Sequence, residues 1–344
     1  MEGMILNMKK NKKDKSNKKI LNINEEFTSQ NFIHTKKLKT IFLIGLNGNL
    51  VEVQTDITGG LPNFEIVGLP DIAVRESKER IKSAIKNSGV ELNSRKILIN
   101  LAPSDIKKEG SGYDLPIAIG ILLAIGAIKN FNTKSVIFIG ELALDGKINK
   151  VPGILPVCIE AKKNKIKIVF VPKENEKEAT IIEGLQIVAV ANLIEVMEFI
   201  NQNKEVGETK KNINFEDENF KVSEIDFCDV KGQENAKRAL EIAAAGWHNC
   251  ILTGSPGGGK TMLAKRLPTI LPKLTFEEAL EITKIHSIAG TLKSDTGIIT
   301  TRPFRTPHHT ISTTSMVGGG RIPKPRRNKF GTLWCFVFRR NIRI

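Results

Sequence analysis

Between Ile41 and about Asn203 the apolar positions switch repeatedly between two periods. "IFLIGLNGNLVEVQTDI", from Ile41, reads as two strands around an Asn47-Gly48 turn. "DIAVRESKERIKSAIKNSG" places its apolar residues at helical spacing, with Asp71 as N-cap and Gly89 closing the helix. "DLPIAIGILLAIGAI", from Asp114, is apolar on every side and reads as a buried helix. It is Gly-broken and shorter than the ~18 uninterrupted apolar residues of a membrane span. "KILINLAP", "SVIFIGEL" and "KIVFVP" are short apolar runs ended by Pro or Gly, as in the strands of an α/β layer fold.

Polar, aperiodic stretches interrupt this pattern. Residues 1–40 contain "MKKNKKDKSNKK" and read as a disordered basic tail, with Met4 and Met8 as further possible starts. Residues 204–222, "KEVGETKKNINFEDENFKV" from Lys204, read as an interdomain linker. A second α/β unit follows from residue 223 to 325. "GQENAKRALEIAAAG" carries Ala and Leu at helical spacing, and "CILTG", from Cys250, reads as a strand.

That strand leads into "GSPGGGKT", Gly254 to Thr261, which fits G-x-x-x-x-G-K-[ST] and precedes the helical "TMLAKRLPTIL". Glycines let backbone N–H groups curl around phosphate oxygens, and the following helix aims its positive end at them. The candidate nucleotide-binding residues are therefore Gly254, Ser255, Pro256, Gly257, Gly258, Gly259, Lys260 and Thr261. Lys260 would reach the β- and γ-phosphates of ATP, and the Thr261 hydroxyl would ligate Mg²⁺. Hydrolysis also needs an acidic pair closing a later apolar strand, and no run of four apolar residues followed by Asp-Glu occurs after Thr261. His308 and His309 are adjacent, without a carboxylate or Cys at ligand spacing, and read as loop.

Composition adds limits. A length of 344 residues suits about two domains. The net charge of +15 invites a nucleic-acid partner, but it sits at the two ends. Residues 1–40 hold ten Lys against four acidic residues, and the last nineteen residues hold six cations and no acid. Cys158, Cys228, Cys250 and Cys335 form no CxxC pair, so reduced and mostly buried thiols are expected. With no secretory signal or membrane span legible in the sequence, a cytoplasmic location is expected.

Five segments together resemble the magnesium-chelatase-like AAA+ ATPases of the ComM/YifB family. They are "GLPNFEIVGLPDIAVRESKERIKSAIKNSG", "NLAPSDIKKEGSGYDLPIAIGIL", "KGQENAKRALEIAAAGWHN", "LTGSPGGGKTMLAKRLPTILP" and the run from "RPFRTPHHTIS" to "VGGGRIPKP". The resemblance implies an α/β fold of two parts. A Lon-protease-like (ribosomal S5 domain 2-like) domain over 41–203 precedes a partial P-loop AAA+ domain over 223–325. It further implies ring assembly, as hexamers, and a motor on DNA with helicase or branch-migration activity. Gly232 and Gln233 fall where such modules approach the adenine. In similar Lon proteases a Ser is activated by a Lys. Here Leu155 stands at the Lys position, and Tyr113 and Asp114 stand near the Ser position beside Ser111. The peptidase dyad is therefore expected to be lost. A Lon-type serine peptidase and a magnesium-chelatase subunit are the alternative functions.

Such proteins continue after "PKP" with a Walker B strand, whereas this chain reads "RRNKFGTLWCFVFRRNIRI" from Arg326. One permitted back-translation of that tail, shifted by a single base, reads GEISLAHYGVLFLDEIFE and restores the acidic pair. Residues 326–344 are accordingly expected to be an out-of-frame tail. The chain would then bind nucleotide weakly, without turnover, in an AAA+ half of low stability. The gene supplies the test. Its nucleotides across the codons for Pro323 to Phe330, with one base removed after the Pro325 codon, are expected to read into VLFLDE. A shifted frame that encodes anything else overturns the reading.

Overall fold

The structure is a computed structural model that describes residues 35–92, 95–202, 225–305 and 335–336. The expectations for the tail up to residue 34, the linker 204–222, His308 and His309 lie outside the described residues.

The N-terminal domain is built on a mixed seven-stranded sheet. Its strands are β1 (Lys36–Ile44), β2 (Asn47–Gly59), β3 (Asn63–Val67), β4 (Arg95–Ala102), β5 (Val136–Phe138), β8 (Ile168–Pro172) and β9 (Gln186–Val190). A separate small ladder joins β6 (Glu141–Leu142) to β7 (Ile148–Asn149). The sheet order is β3-β4-β2-β1-β5-β8-β9, antiparallel at β1/β2 and β2/β4 and parallel elsewhere.

Two expectations shift here. The β1–β2 register runs from Lys36↔Thr55 to Ile44↔Asn47, so the hairpin turns at Gly45-Leu46 and Asn47-Gly48 opens β2. Gly45, at φ +61°, takes the first central position of a two-residue loop, where favoured hairpin turns require positive φ. The first strand also starts before residue 41. Leu38 is only 1% exposed, and Thr40 beside it donates its hydroxyl to the Phe138 carbonyl at 2.9 Å. Lys37 and Lys39 fall on the opposite face, less buried than Leu38 and Thr40, and this period-2 alternation is what a lysine-rich stretch conceals.

Helices cover both faces of the sheet. On one, α1 (Ile72–Asn87), α2 (Asp114–Ala124) and α5 (Leu193–Asn201) pack on Leu38, Val53, Ile99, Phe138 and Phe170. On the other, α3 (Ile154–Lys163) and α4 (Glu176–Ala179) pack on Ile41, Ile137, Val169 and Val171. Alternate residues of one strand thus feed two cores, which explains the unbroken apolar runs. The α1 boundaries follow the sequence closely: Asp71 accepts from the Val74 amide at 2.8 Å, and Ser88 and Gly89 end the helix.

The second half is helical among the described residues: α6 (Glu234–Ala245), α7 (Lys260–Ile270) and α8 (Phe276–Ile288). The strand expected at Cys250–Gly254 does not form. A parallel strand needs neighbours for its peptide groups, and Ile251 instead stands 89% exposed. One short pairing occurs there, with β10 (Phe304–Arg305) parallel to β11 (Cys335–Phe336). Phe227, Val230, Leu240 and Leu263 form a small core, and α8 packs instead on the N-terminal domain. Cys158 is buried and free, but Cys228 and Cys250 are free and exposed, against expectation. No described helix is long and apolar enough to cross a membrane.

Gly120 explains why the apolar helix α2 carries a glycine. A Cβ there would lie 2.4 Å from Thr55 Oγ1 on β2, so glycine sets how closely helix and sheet approach. Gly120→Ala should destabilise the fold by about 1–3 kcal/mol, lowering the thermal midpoint by roughly 3–8 °C. Thr55→Ala in the same chain should restore most of the loss, as read by thermal denaturation. Equal midpoints for wild type and Gly120→Ala would contradict the close-approach argument.

Candidate functional site

Gly254–Thr261 forms an exposed compound turn that runs directly into α7. Gly254, Gly257 and Gly259 have φ of +150°, +81° and +75°, values that side chains with a Cβ rarely adopt. The Gly258 N–H donates to the Ser255 carbonyl at 3.3 Å, and the Gly259 N–H to the Gly257 carbonyl at 2.8 Å. Pro256 sits exposed between the two arms of the turn. No heavy atom lies within 4 Å of a Cβ built on Gly254 or Gly257, so the space beside both is open.

Lys260 and Thr261 are the first two residues of α7. Helix N-termini leave their first N–H groups without intrahelical partners and carry partial positive charge. The Lys260 amine folds back over the loop, donating to the carbonyls of Gly254 at 2.8 Å and Ser255 at 2.7 Å. Phosphate oxygens fit such a place, because the amine can exchange those two acceptors for them beside the positive end of the helix. A full metal shell does not assemble here. Thr261 offers one hydroxyl, and among the described residues no group of three or more His, Cys, Asp or Glu could hold a metal ion.

Gly232 and Gln233, at φ +67° and +59°, lead into α6, which packs on α7 through Leu240 and Leu263. Residues outside the Gly254–Thr261 loop hold this edge together. Asp226 and Asp229 make reciprocal caps around a short turn. Arg266 on α7 donates its Nε to the Asp226 carbonyl at 2.7 Å and pairs with the Asp229 carboxylate at 3.5 Å. An Asp-x-x-Asp spacing was the available signal for the turn, but nothing local pointed to Arg266.

The positions compared with a peptidase dyad are differently employed. Leu155 is fully buried among Ile181, Leu274, Ala279, Ile282 and Ile298. Ser111 donates its hydroxyl to the Glu141 carboxylate, and the amine of buried Lys108 donates to the Pro103 carbonyl. Tyr113 is buried, with its hydroxyl unpaired among the described residues, and burial pushes its pKa up. Asp114 is gripped by Arg80 at 2.9 and 3.2 Å and accepts from the Leu142 amide at 3.2 Å. No arrangement of a serine activated by a lysine is present among these groups.

Both halves of the chain have known relatives. Residues 53–175 match the family model "Subunit ChlI of Mg-chelatase", and residues 226–329 match "Magnesium chelatase, subunit ChlI". YifB of Escherichia coli is 42% identical over 297 residues, which is 86% of this chain and 56% of that protein. The competence protein ComM of Haemophilus influenzae is 38% identical over 283 residues, 82% of this chain and 55% of that protein. Lon protease 2 of Bacillus subtilis is 28% identical over 171 residues, 45% of this chain and 30% of that protein. The chain thus spans about half the length of YifB and of ComM.

Asp114 gives the corner beside α2 a pH signature. Burial pushes its carboxyl from 3.8 up to about 6, against the opposing pull of Arg80 and the Leu142 amide. The folded chain therefore holds this proton more tightly than the unfolded chain does. The stability it contributes is complete below about pH 4 and is lost as pH rises through about 6, on the order of 2–3 kcal/mol. Denaturation of wild type should show this decline relative to Asp114→Asn, which has no proton to lose there. Parallel pH profiles for the two proteins would contradict it.

Proposed function

Because this chain belongs to the ComM/YifB branch of the magnesium-chelatase-like family, we propose that its second half binds ATP through Gly254–Thr261. The observation that carries the reading is the loop itself. Three positive-φ glycines and the Lys260 amine converge at the N-terminus of α7. In this reading Lys260 meets the terminal phosphates, Thr261 supplies a hydroxyl to Mg²⁺, and Gly232 and Gln233 border the adenine. Bound Mg²⁺ would supply charge neutralisation on the phosphates.

Intact relatives, in the same reading, are cytoplasmic ring-forming motors on DNA, assembled as hexamers. The similarity to a protein named for competence supports a role in DNA uptake and recombination. The 344-residue chain is proposed to bind nucleotide without turnover, since no Asp or Glu follows Asp295 in it. The family match reaches residue 329, close to the Pro325 codon after which the reading frame is proposed to slip. A peptidase reading fails on chemistry, because Leu155 has no amine to act as base.

Purified 1–344 should bind a fluorescent ATP analogue, and Lys260→Ala should weaken that binding at least tenfold, about 1.4 kcal/mol. Phosphate release should stay at background. Binding indifferent to Lys260→Ala would overturn the nucleotide site. Mg²⁺-dependent turnover abolished by the same substitution would instead overturn the proposed inactivity.

A further inference from the structure

One carboxylate organises the seam between the two halves. Glu178 on α4 is 4% exposed. Its Oε1 accepts from the Leu155 amide at 2.8 Å and from the Ser287 hydroxyl, and its Oε2 accepts from Asn175 Nδ2 at 3.1 Å. Leu155 is the second residue of α3, whose N-cap, Gly153, has no side chain to cap with. Glu178 therefore supplies the missing cap from another element and lies at the positive end of that helix. The Gly153 amide, in turn, donates to the Ser287 carbonyl at 3.0 Å.

Around this polar knot the packing is apolar. Leu155 and Ile181 from the N-terminal domain meet Leu274, Ala279, Ile282 and Ile298 from the second half. At the rim, the Lys150 amine donates to the Leu292 carbonyl at 2.7 Å and the Lys177 amine to the Asp295 carbonyl at 3.2 Å. Each of these bonds joins residues on opposite sides of the linker.

We infer that the start of α3, together with Glu178 and Ile181, is a docking socket in the N-terminal domain whose occupant is the chain's own helix α8. The domain thereby serves as the platform that positions the nucleotide-binding half. The apolar contacts supply adhesion, and the Glu178–Ser287 bond fixes the register, because a helix turned or slid along its axis would leave the buried carboxylate short of a donor. Helix α8 begins at Phe276, only a short connection after α7 ends at Ile270, so anchoring α8 also anchors the helix that carries Lys260. Position 155 is committed to this packing, which accounts for a leucine where a peptidase would carry its lysine. The docking is independent of nucleotide and can be tested without it.

Hydrogen exchange on the full chain, read by mass spectrometry, is the test. In wild type, the amides of Phe276–Ile288 and of Gly153–Leu155 should be protected along with strand β8. Ser287→Ala should speed exchange in both segments by roughly tenfold. Ala279→Arg, which drives a charged side chain into the seam, should bring Phe276–Ile288 to roughly the rates of a free peptide while β1, β2 and β4 stay protected. Free-peptide exchange of Phe276–Ile288 in wild type, or protection that survives Ala279→Arg, would overturn the socket. Should Ala279→Arg not yield folded protein, Ser287→Ala decides: unchanged exchange at Gly153–Leu155 overturns the proposal.

Discussion

Every peptide group buried in a sheet needs a hydrogen-bonding neighbour, and this requirement divides the molecule. In the N-terminal domain it is met. Strand β1 is held antiparallel by β2 on one side and parallel by β5 on the other, and the alternating side chains of the sheet feed two separate cores. In the second half the segment Cys250–Gly254 has the apolar composition of a central strand but gains no ladder partner among the described residues, and Ile251 stands exposed. Among the described residues, α6 and α7 share a small core around Leu240 and Leu263. Helix α8 finds its apolar partners across the seam, on the N-terminal domain.

What could be read from the sequence follows the range of the forces involved. Caps and periodicity are local, so the limits of α1, the buried character of α2 and the strands β4, β5 and β8 were legible. The N-terminal boundary was missed because Lys36, Lys37 and Lys39 made a core strand look like part of a charged tail. The hairpin was found but its turn misplaced, since Gly45-Leu46 and Asn47-Gly48 both offer turn chemistry and only the pairing register chooses between them. The seam was not legible at all. Glu178 and Ser287 are 109 residues apart, and each alone is an ordinary polar residue.

The candidate loop shows the same division at finer scale. Its shape is local, because three glycines admit left-handed backbone and the next residues start a helix, so it forms even where the neighbouring strand does not. Its chemistry is not local. The Lys260 amine satisfies itself on the carbonyls of its own loop, so phosphate must compete with those bonds rather than meet a bare cation. In the proposed binding, affinity would rest largely on the end of α7, and turnover would need acidic groups delivered from other segments.

The N-terminal domain buries the positions that a peptidase would need to keep open. A lysine base must lose and regain a proton while staying within reach of a hydroxyl and of the substrate. That demands a partly open position, whereas Leu155 is sealed beneath α8 and the Asp114 carboxylate is tied to Arg80 and the Leu142 amide. Both positions are fully buried. The packing that seals Leu155 also seats α8, so under the proposed reading one buried contact both leaves no place for a lysine base and holds the second half in position.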